Sequence, residues 1–178
     1  MVSPGIEESA MTNSAAHTAP GAEVPHISVC VCTFKRAALL ANLLKGLYEQ
    51  RTEGQFTFSI VIVDNDCAGT ARETVERFQV DHDIAIDYFI EPEQSIALAR
   101  NRAVGNAKGD FVAFIDDDEY PIADWLLQLY NTLVERKADG VLGPVDSQFT
   151  EPPPPWMLKT GVFDRPNGSG YETGSVLD

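Results

Sequence analysis

Four acids in a row, Asp116-Asp117-Asp118-Glu119, directly follow the apolar run Phe111-Val112-Ala113-Phe114-Ile115. A buried strand cannot carry unpaired carboxylates into a core, so this run must leave the strand at its exit. Crowded carboxylates repel one another, and a hard divalent cation relieves the repulsion by taking some of them as ligands. Mg2+ or Mn2+ held by one or two carboxylates, with phosphate oxygens and water completing the shell, is a common way to bind a nucleoside diphosphate. The run alone leaves a second reading equally open: a solvated loop whose acids favour the positive N-terminal end of the next helix. Asp64 closes another apolar run, and Asp is common where strands turn, so on its own it reads as a turn residue. Arg100 and Arg102 sit in Ser95-Ile-Ala-Leu-Ala-Arg-Asn-Arg-Ala, where a guanidinium could fork onto phosphate or pair with a nearby carboxylate.

The elements that must position these residues alternate. Strands are expected over residues 27–33, 58–63, 84–90, 111–115 and 141–145, where β-branched and other apolar residues run together. Helices are expected over 36–50, 70–79, 95–107 and 122–137. The first shows leucine at 39, 40, 43, 44 and 47; Ser95 suits an N-cap and Pro121 a first turn. Such alternation with short connections predicts an α/β fold, a mostly parallel sheet with helices on both faces. Ligands of these folds gather at the carboxyl ends of the strands. Three strands end there in polar residues: Thr33-Phe34-Lys35-Arg36, Asp64-Asn65-Asp66 and the acidic run.

Composition narrows the function. The chain has 178 residues, 44% hydrophobic and 22% charged, enough for one ordinary domain. Its formal net charge of −14, from 27 acidic and 13 basic residues, opposes nucleic-acid binding and requires a cation or basic cluster wherever phosphate binds. No segment approaches the roughly 20 apolar residues of a membrane span, and no secretory signal pattern is present. Cys30, Cys32 and Cys67 give no disulfide framework, and a lone Cys-x-Cys lacks the second ligand pair of a zinc site. The P-loop pattern, the Gly-x-Gly-x-x-Gly fingerprint after the first strand and the Gly-x-Ser-x-Gly elbow are all absent. His17, His26 and His82 have no triad partners at a telling spacing.

Taken in order, Ile27-Ser-Val-Cys-Val-Cys-Thr-Phe-Lys-Arg, Ile60-Val-Ile-Val-Asp-Asn-Asp, Ala99-Arg-Asn-Arg-Ala and Gly109-Asp-Phe-Val-Ala-Phe-Ile-Asp-Asp-Asp-Glu-Tyr-Pro, with Asp124-Trp-Leu behind, resemble the family 2 glycosyltransferases of GT-A type. The resemblance covers roughly residues 26–146. It implies a donor site for a nucleotide-diphosphate sugar, UDP-linked, and a Mn2+ or Mg2+ cofactor. Thr33 would lie against the base and Asp64 would accept a hydrogen bond from it. Arg100 and its neighbours would lie near the nucleotide. Asp116 and Asp118 take the outer positions of the Asp-x-Asp motif, Asp116 toward the ribose and Asp118 on the metal. Asp117, the variable middle position, has no assigned role.

The implied chemistry is single displacement with inversion onto a glycan or lipid-linked acceptor, in the cytoplasm or peripherally at the inner membrane face. The segment Gly143-Pro-Val, the proline run, Trp156 and Thr173-Gly174-Ser175 resembles a subgroup that builds bacterial exopolysaccharides, including succinoglycan-type glucosyltransferases, where Thr-Gly-Asn is usual. The expected organisation is a disordered leader (1–24), a nucleotide-sugar-binding α/β domain (25–146) and the start of an acceptor-side region (147–178). The family's general base lies beyond the Asp-x-Asp motif, and neither Glu172 nor Asp178 sits in a matching motif. The chain is therefore expected to hold the donor site without the base, as a C-terminally truncated form. A catalytically inactive nucleotide-sugar-binding fragment is the alternative.

Overall fold

The computed structural model describes residues 24–149 and 151–159. The leader up to residue 23, the Thr173-Gly174-Ser175 segment, Glu172 and Asp178 lie outside the described residues. Four strands, β1 (His26–Thr33), β2 (Thr57–Asp64), β3 (Ile86–Ile90) and β4 (Phe111–Phe114), form one sheet in the order β3-β2-β1-β4. Every pairing is parallel. Helices α1 (Ala37–Tyr48), α2 (Arg72–Asp81), α3 (Ile96–Asn106) and α4 (Trp125–Arg136) alternate with them, and a short α5 (Pro155–Lys159) buries none of its residues.

The period of two along β1 and β2 sends residues to two cores. Val29, Val31, Ile60 and Ile62 pack with Leu40, Leu43, Leu44 and Leu47 of α1, Val75 and Phe78 of α2, and Leu126 and Leu127 of α4. The four α1 leucines are fully buried, each contributing about 1.5–3 kcal/mol. On the opposite face Cys30, Val61 and Val63 meet Ala99 and Ala103 of α3, small residues that let this helix lie close to the sheet. The fold class expected from the alternation is the one observed.

Two local expectations are corrected. Residues 141–145 form no strand: they pair with no other strand among the described residues, and Leu142 is 80% exposed. β-propensity marks a half-buried pleated surface, and this run has no partner to provide one. The last long helix starts at Trp125 instead of Ile122. Gln50, beyond the end of α1, sets that start: its Oε1 accepts from the Leu126 N–H at 3.0 Å, and its Nε2 donates to the carbonyls of Gly46 and Ile122 at 3.0 and 2.8 Å. A remote amide thus satisfies a helix-terminal donor that local sequence leaves open. Pro121 packs over Gly46, where an added methyl would come within 3.1 Å of its ring.

Candidate donor and metal site

The chain leaves β1 for β2 and β3 on one side, then returns to pair β4 on the other. The connections at the carboxyl ends of β1 and β4 therefore diverge, and a crevice opens at this topological switch point. An open cavity of about 470 Å³ lies there, and Thr33, Arg36, Asn65, Arg100, Asp116 and Asp118 are among its lining residues.

Register explains how the three aspartates are sorted. Cys30 pairs with Phe114, so three residues further along each strand Thr33 and Asp117 stand level. Thr33 Oγ1 donates to Asp117 Oδ2 at 2.7 Å, with both residues buried. The Asp117 side chain is only 6% exposed, against 60% for Asp116 and 51% for Asp118. The outer two acids are half exposed or more, and the middle one, which also lines the cavity, is nearly buried and held by protein donors. Arg36 Nη1 donates to Asp117 Oδ1 at 3.1 Å and to Asp118 Oδ2 at 3.0 Å. The bond to Asp117 and the charges of both acids hold the Arg36 proton more tightly than usual. Arg100 Nη2 reaches Asp116 Oδ1 at 3.1 Å. Glu119 Oε2 accepts from the Asp116 N–H at 3.1 Å, which folds the end of the run back on itself.

The backbone carries strain at the same place. Lys35 has φ +56, the left-handed region that costs an ordinary residue about 1–2 kcal/mol. That turn, between β1 and α1, brings Arg36 onto the acids.

Asp64 lies elsewhere. It is 0% exposed, and its oxygens accept from the N–H groups of Asp66 (3.0 Å) and Ala71 (2.8 Å) and from the Tyr88 hydroxyl (2.7 Å). It shapes the turn from β2 into α2 and does not line the cavity. Its neighbour Asn65 does. Asn65 Nδ2 donates to the carbonyls of Glu91 and Glu93 at 3.0 and 2.7 Å, and its Oδ1 accepts from the Ser95 N–H at 2.9 Å. Ser95 in turn caps α3, its Oγ accepting from the Leu98 N–H at 3.4 Å. Asn65 thereby fixes the start of the helix that presents Arg100. Arg102 pairs instead with Glu91 at 3.3 Å.

The structure thus gathers Thr33, Arg100, Asp116 and Asp118 and leaves Asp64 behind the wall. Arg36, Asn65 and Asp117 are the residues that sequence reasoning passed over. Arg36 carried a usable signal, a cation just past a strand end on the same rim as four acids.

The donor set fits a hard cation. Asp116 and Asp118 each have one oxygen engaged by an arginine and the other without a hydrogen-bond partner among the described residues. Cys32, the one sulfur on the wall, has its thiol pushed up to about 11, chiefly by burial, so it offers no thiolate at neutral pH. Among the described residues no three His, Cys, Asp or Glu side chains form a complete cage. A site of this type is completed by phosphate oxygens and water, as Mg2+ and Mn2+ tolerate.

A parallel sheet in this order, flanked by helices, is common to several nucleotide-binding α/β folds, and the likeness to solved glycosyltransferases makes this one the GT-A type. The chain belongs to glycosyl transferase family 2, whose pattern matches residues 28–175. It is 36% identical over 141 residues to the succinoglycan biosynthesis protein ExoM of Rhizobium meliloti, a match covering 79% of this chain and 45% of that protein. It is 29% identical over 119 residues to the GalNAc(5)-diNAcBac-PP-undecaprenol beta-1,3-glucosyltransferase of Campylobacter jejuni, covering 66% of this chain and 36% of that one. The chain thus spans under half the length of these relatives. Among solved structures it is similar to the mannosyltransferase PcManGT of Pyrobaculum calidifontis, in complex with GDP-Man and Mn2+, at TM-score 0.53 and 29% identity, covering 70% of this chain and 35% of that one. S. aureus TarS 1–349 in complex with UDP-GlcNAc shares the fold at TM-score 0.55 and 23% identity, covering 71% of this chain and 38% of that 1–349 chain. Among the described residues no helix is long and apolar enough to cross a membrane.

Proposed function

We propose that this chain forms the donor-binding portion of an inverting glycosyltransferase that moves a sugar from a nucleotide-diphosphate donor, UDP-linked, to a glycan or lipid-linked acceptor in polysaccharide assembly. The observation that carries the reading is the meeting of Asp116, Asp118, Arg36 and Arg100 around one cavity at the β1/β4 switch point. Similarity to a protein named for succinoglycan biosynthesis supports the process, and similarity to a mannosyltransferase solved with GDP-Man and Mn2+ supports the donor class and the metal.

In this reading Asp118 holds the cation and Asp116 faces the ribose. Thr33, whose hydroxyl oxygen can still accept, lies against the base. Arg100 neutralises phosphate charge. Asp64 acts on the base wall indirectly, by fixing the turn that presents Asn65, because all of its observed bonds are to protein donors. The bound cation would stabilise charge on the departing diphosphate. The acceptor hydroxyl would attack the anomeric carbon from the opposite face, and no described residue is assigned as the base that takes its proton. For a lipid-linked acceptor the protein would work peripherally at the inner membrane face.

Calorimetric titration of UDP, with GDP for comparison, into the purified chain with and without Mn2+ tests the reading. Saturable binding that requires the metal and is lost in Asp118→Ala is the expected result. Failure of a chain folded by circular dichroism to bind either nucleotide overturns it.

A further inference from the structure

Arg36 offers one nitrogen, Nη1, to two carboxylates at once, Asp117 at 3.1 Å and Asp118 at 3.0 Å. The two partners differ. Asp117 is buried and has Thr33 as a second donor, so its contact with Arg36 is anchored. Asp118 is half exposed and accepts from no other side chain among the described residues. Arg36 therefore has one fixed contact and one that can be exchanged. That exchangeable contact falls on the carboxylate assigned to the metal.

We propose that Arg36 is a built-in counterion for Asp118: it competes with the divalent cation for that carboxylate and passes to the diphosphate when cation and nucleotide bind together. This rests on the reading of the cavity as a metal and diphosphate site. Three carboxylates, Asp116, Asp117 and Asp118, face two guanidiniums here, so the rim is left slightly negative. A divalent cation arriving alone overshoots this balance and meets Arg36 within contact distance of its ligand oxygen, a like-charge encounter. A diphosphate arriving alone makes the rim strongly negative. The two together nearly restore the original charge. Arg36, still held by Asp117, then has free N–H groups of its planar fork for phosphate oxygens.

Metal and nucleotide consequently raise each other's affinity, and the coupling is reciprocal. In a chain of net charge −14, which attracts cations over its whole surface, such a contact favours loading of this site only with a diphosphate present.

The test is Mn2+ binding to the full chain without nucleotide, followed by loss of the aqueous Mn2+ paramagnetic resonance signal, alongside calorimetry of UDP at saturating Mn2+. Arg36→Gln should bind Mn2+ alone about two- to fivefold more tightly, the scale of releasing a half-exposed ion pair, while its UDP affinity falls. Arg36→Lys, which keeps the charge, should lie between Arg36→Gln and the parent chain on both readouts. Arg102→Gln removes the same charge from the pair with Glu91 and should leave Mn2+ affinity unchanged. Unchanged or weaker Mn2+ binding by Arg36→Gln, or equal tightening by Arg102→Gln, overturns the counterion role alone. A parent chain that binds neither Mn2+ nor UDP overturns the underlying site reading as well.

Discussion

Thr33 and Asp117 share a buried hydrogen bond of 2.7 Å that ties the end of β1 to the connection after β4, across the switch point itself. The bond has two consequences. It satisfies a carboxylate that is nearly buried, and it fixes the phase of the acidic run so that Asp116 and Asp118 stay exposed on either side of it. Thr33→Val keeps the shape and removes the donor. It should lower the unfolding free energy by about 1–3 kcal/mol, the cost of leaving a buried acceptor short of a partner. Thr33→Ser should recover most of that loss. Urea denaturation with an unchanged m-value is the measurement. Equal stability of Thr33→Val and the parent chain would mean that Arg36 alone satisfies Asp117.

Alkaline pH should unfold this chain early. Burial, then the bond to Asp64 and its negative charge, hold the Tyr88 proton well above the ordinary phenol value. Burial likewise pushes the Cys30 and Cys32 thiols up to about 11 from an ordinary 9.0. All three groups bind their protons more tightly folded than unfolded. Their contribution is therefore fully present below the unfolded values, about 9 for the thiols and about 10 for the phenol, and is lost as pH rises through the folded ones. Urea midpoints should hold from pH 7 to roughly 9 and then fall steadily. Tyr88→Phe should flatten the part of that fall above about pH 10, while costing about 1–2 kcal/mol at neutral pH because Asp64 loses a donor. A profile that stays level to pH 11 would contradict the assigned burial of these groups.

How much of this was legible follows from how local each cause is. The leucine spacing of α1 and the β-branched runs of β1 and β2 are local patterns, and they predicted both the elements and the parallel α/β class. That polar residues would collect at one rim also followed, because parallel strands all end on the same side. The sorting of three identical aspartates did not. It depends on the β1–β4 register, which pairs residues 84 apart in sequence. Asp64 is similar: its donors come from residues 66, 71 and 88, and nothing in the strand's own sequence marks its carboxylate as spent on them. The start of α4 is set by Gln50 from 76 residues away, so the local cue of Pro121 misplaced it. The false strand at 141–145 is the converse, a correct local propensity with no neighbour to act on.

Two glycines on the elements that carry the site, both at the end of the sheet away from it, should respond in opposite directions to the same substitution. At Gly109 a Cβ would stand 2.6 Å from the His26 carbonyl oxygen, 2.7 Å from the Ser28 nitrogen and 2.9 Å from the Phe111 carbonyl oxygen. All three are backbone atoms and cannot swing aside. The approach is close because the N–H groups of Lys108 and Gly109 both donate to the buried Ser28 Oγ, at 3.1 and 2.9 Å, clamping the start of β4 onto β1. Gly109→Ala must part these strands and should cost about 1–3 kcal/mol or more. Gly105 sits within α3 with nothing inside 4 Å of its added Cβ. There alanine restricts the unfolded chain and suits a helix, so Gly105→Ala should stabilise by about 0.5–1 kcal/mol. Thermal denaturation of the two variants beside the parent decides the signs. The pair also separates stability from positioning: β4 delivers the acidic run, so Gly109→Ala should weaken metal-dependent nucleotide binding even at temperatures where it remains folded, while Gly105→Ala should leave binding intact. Loss of binding in both, or in neither, would break the link between the Ser28 clamp and the placement of Asp116 and Asp118.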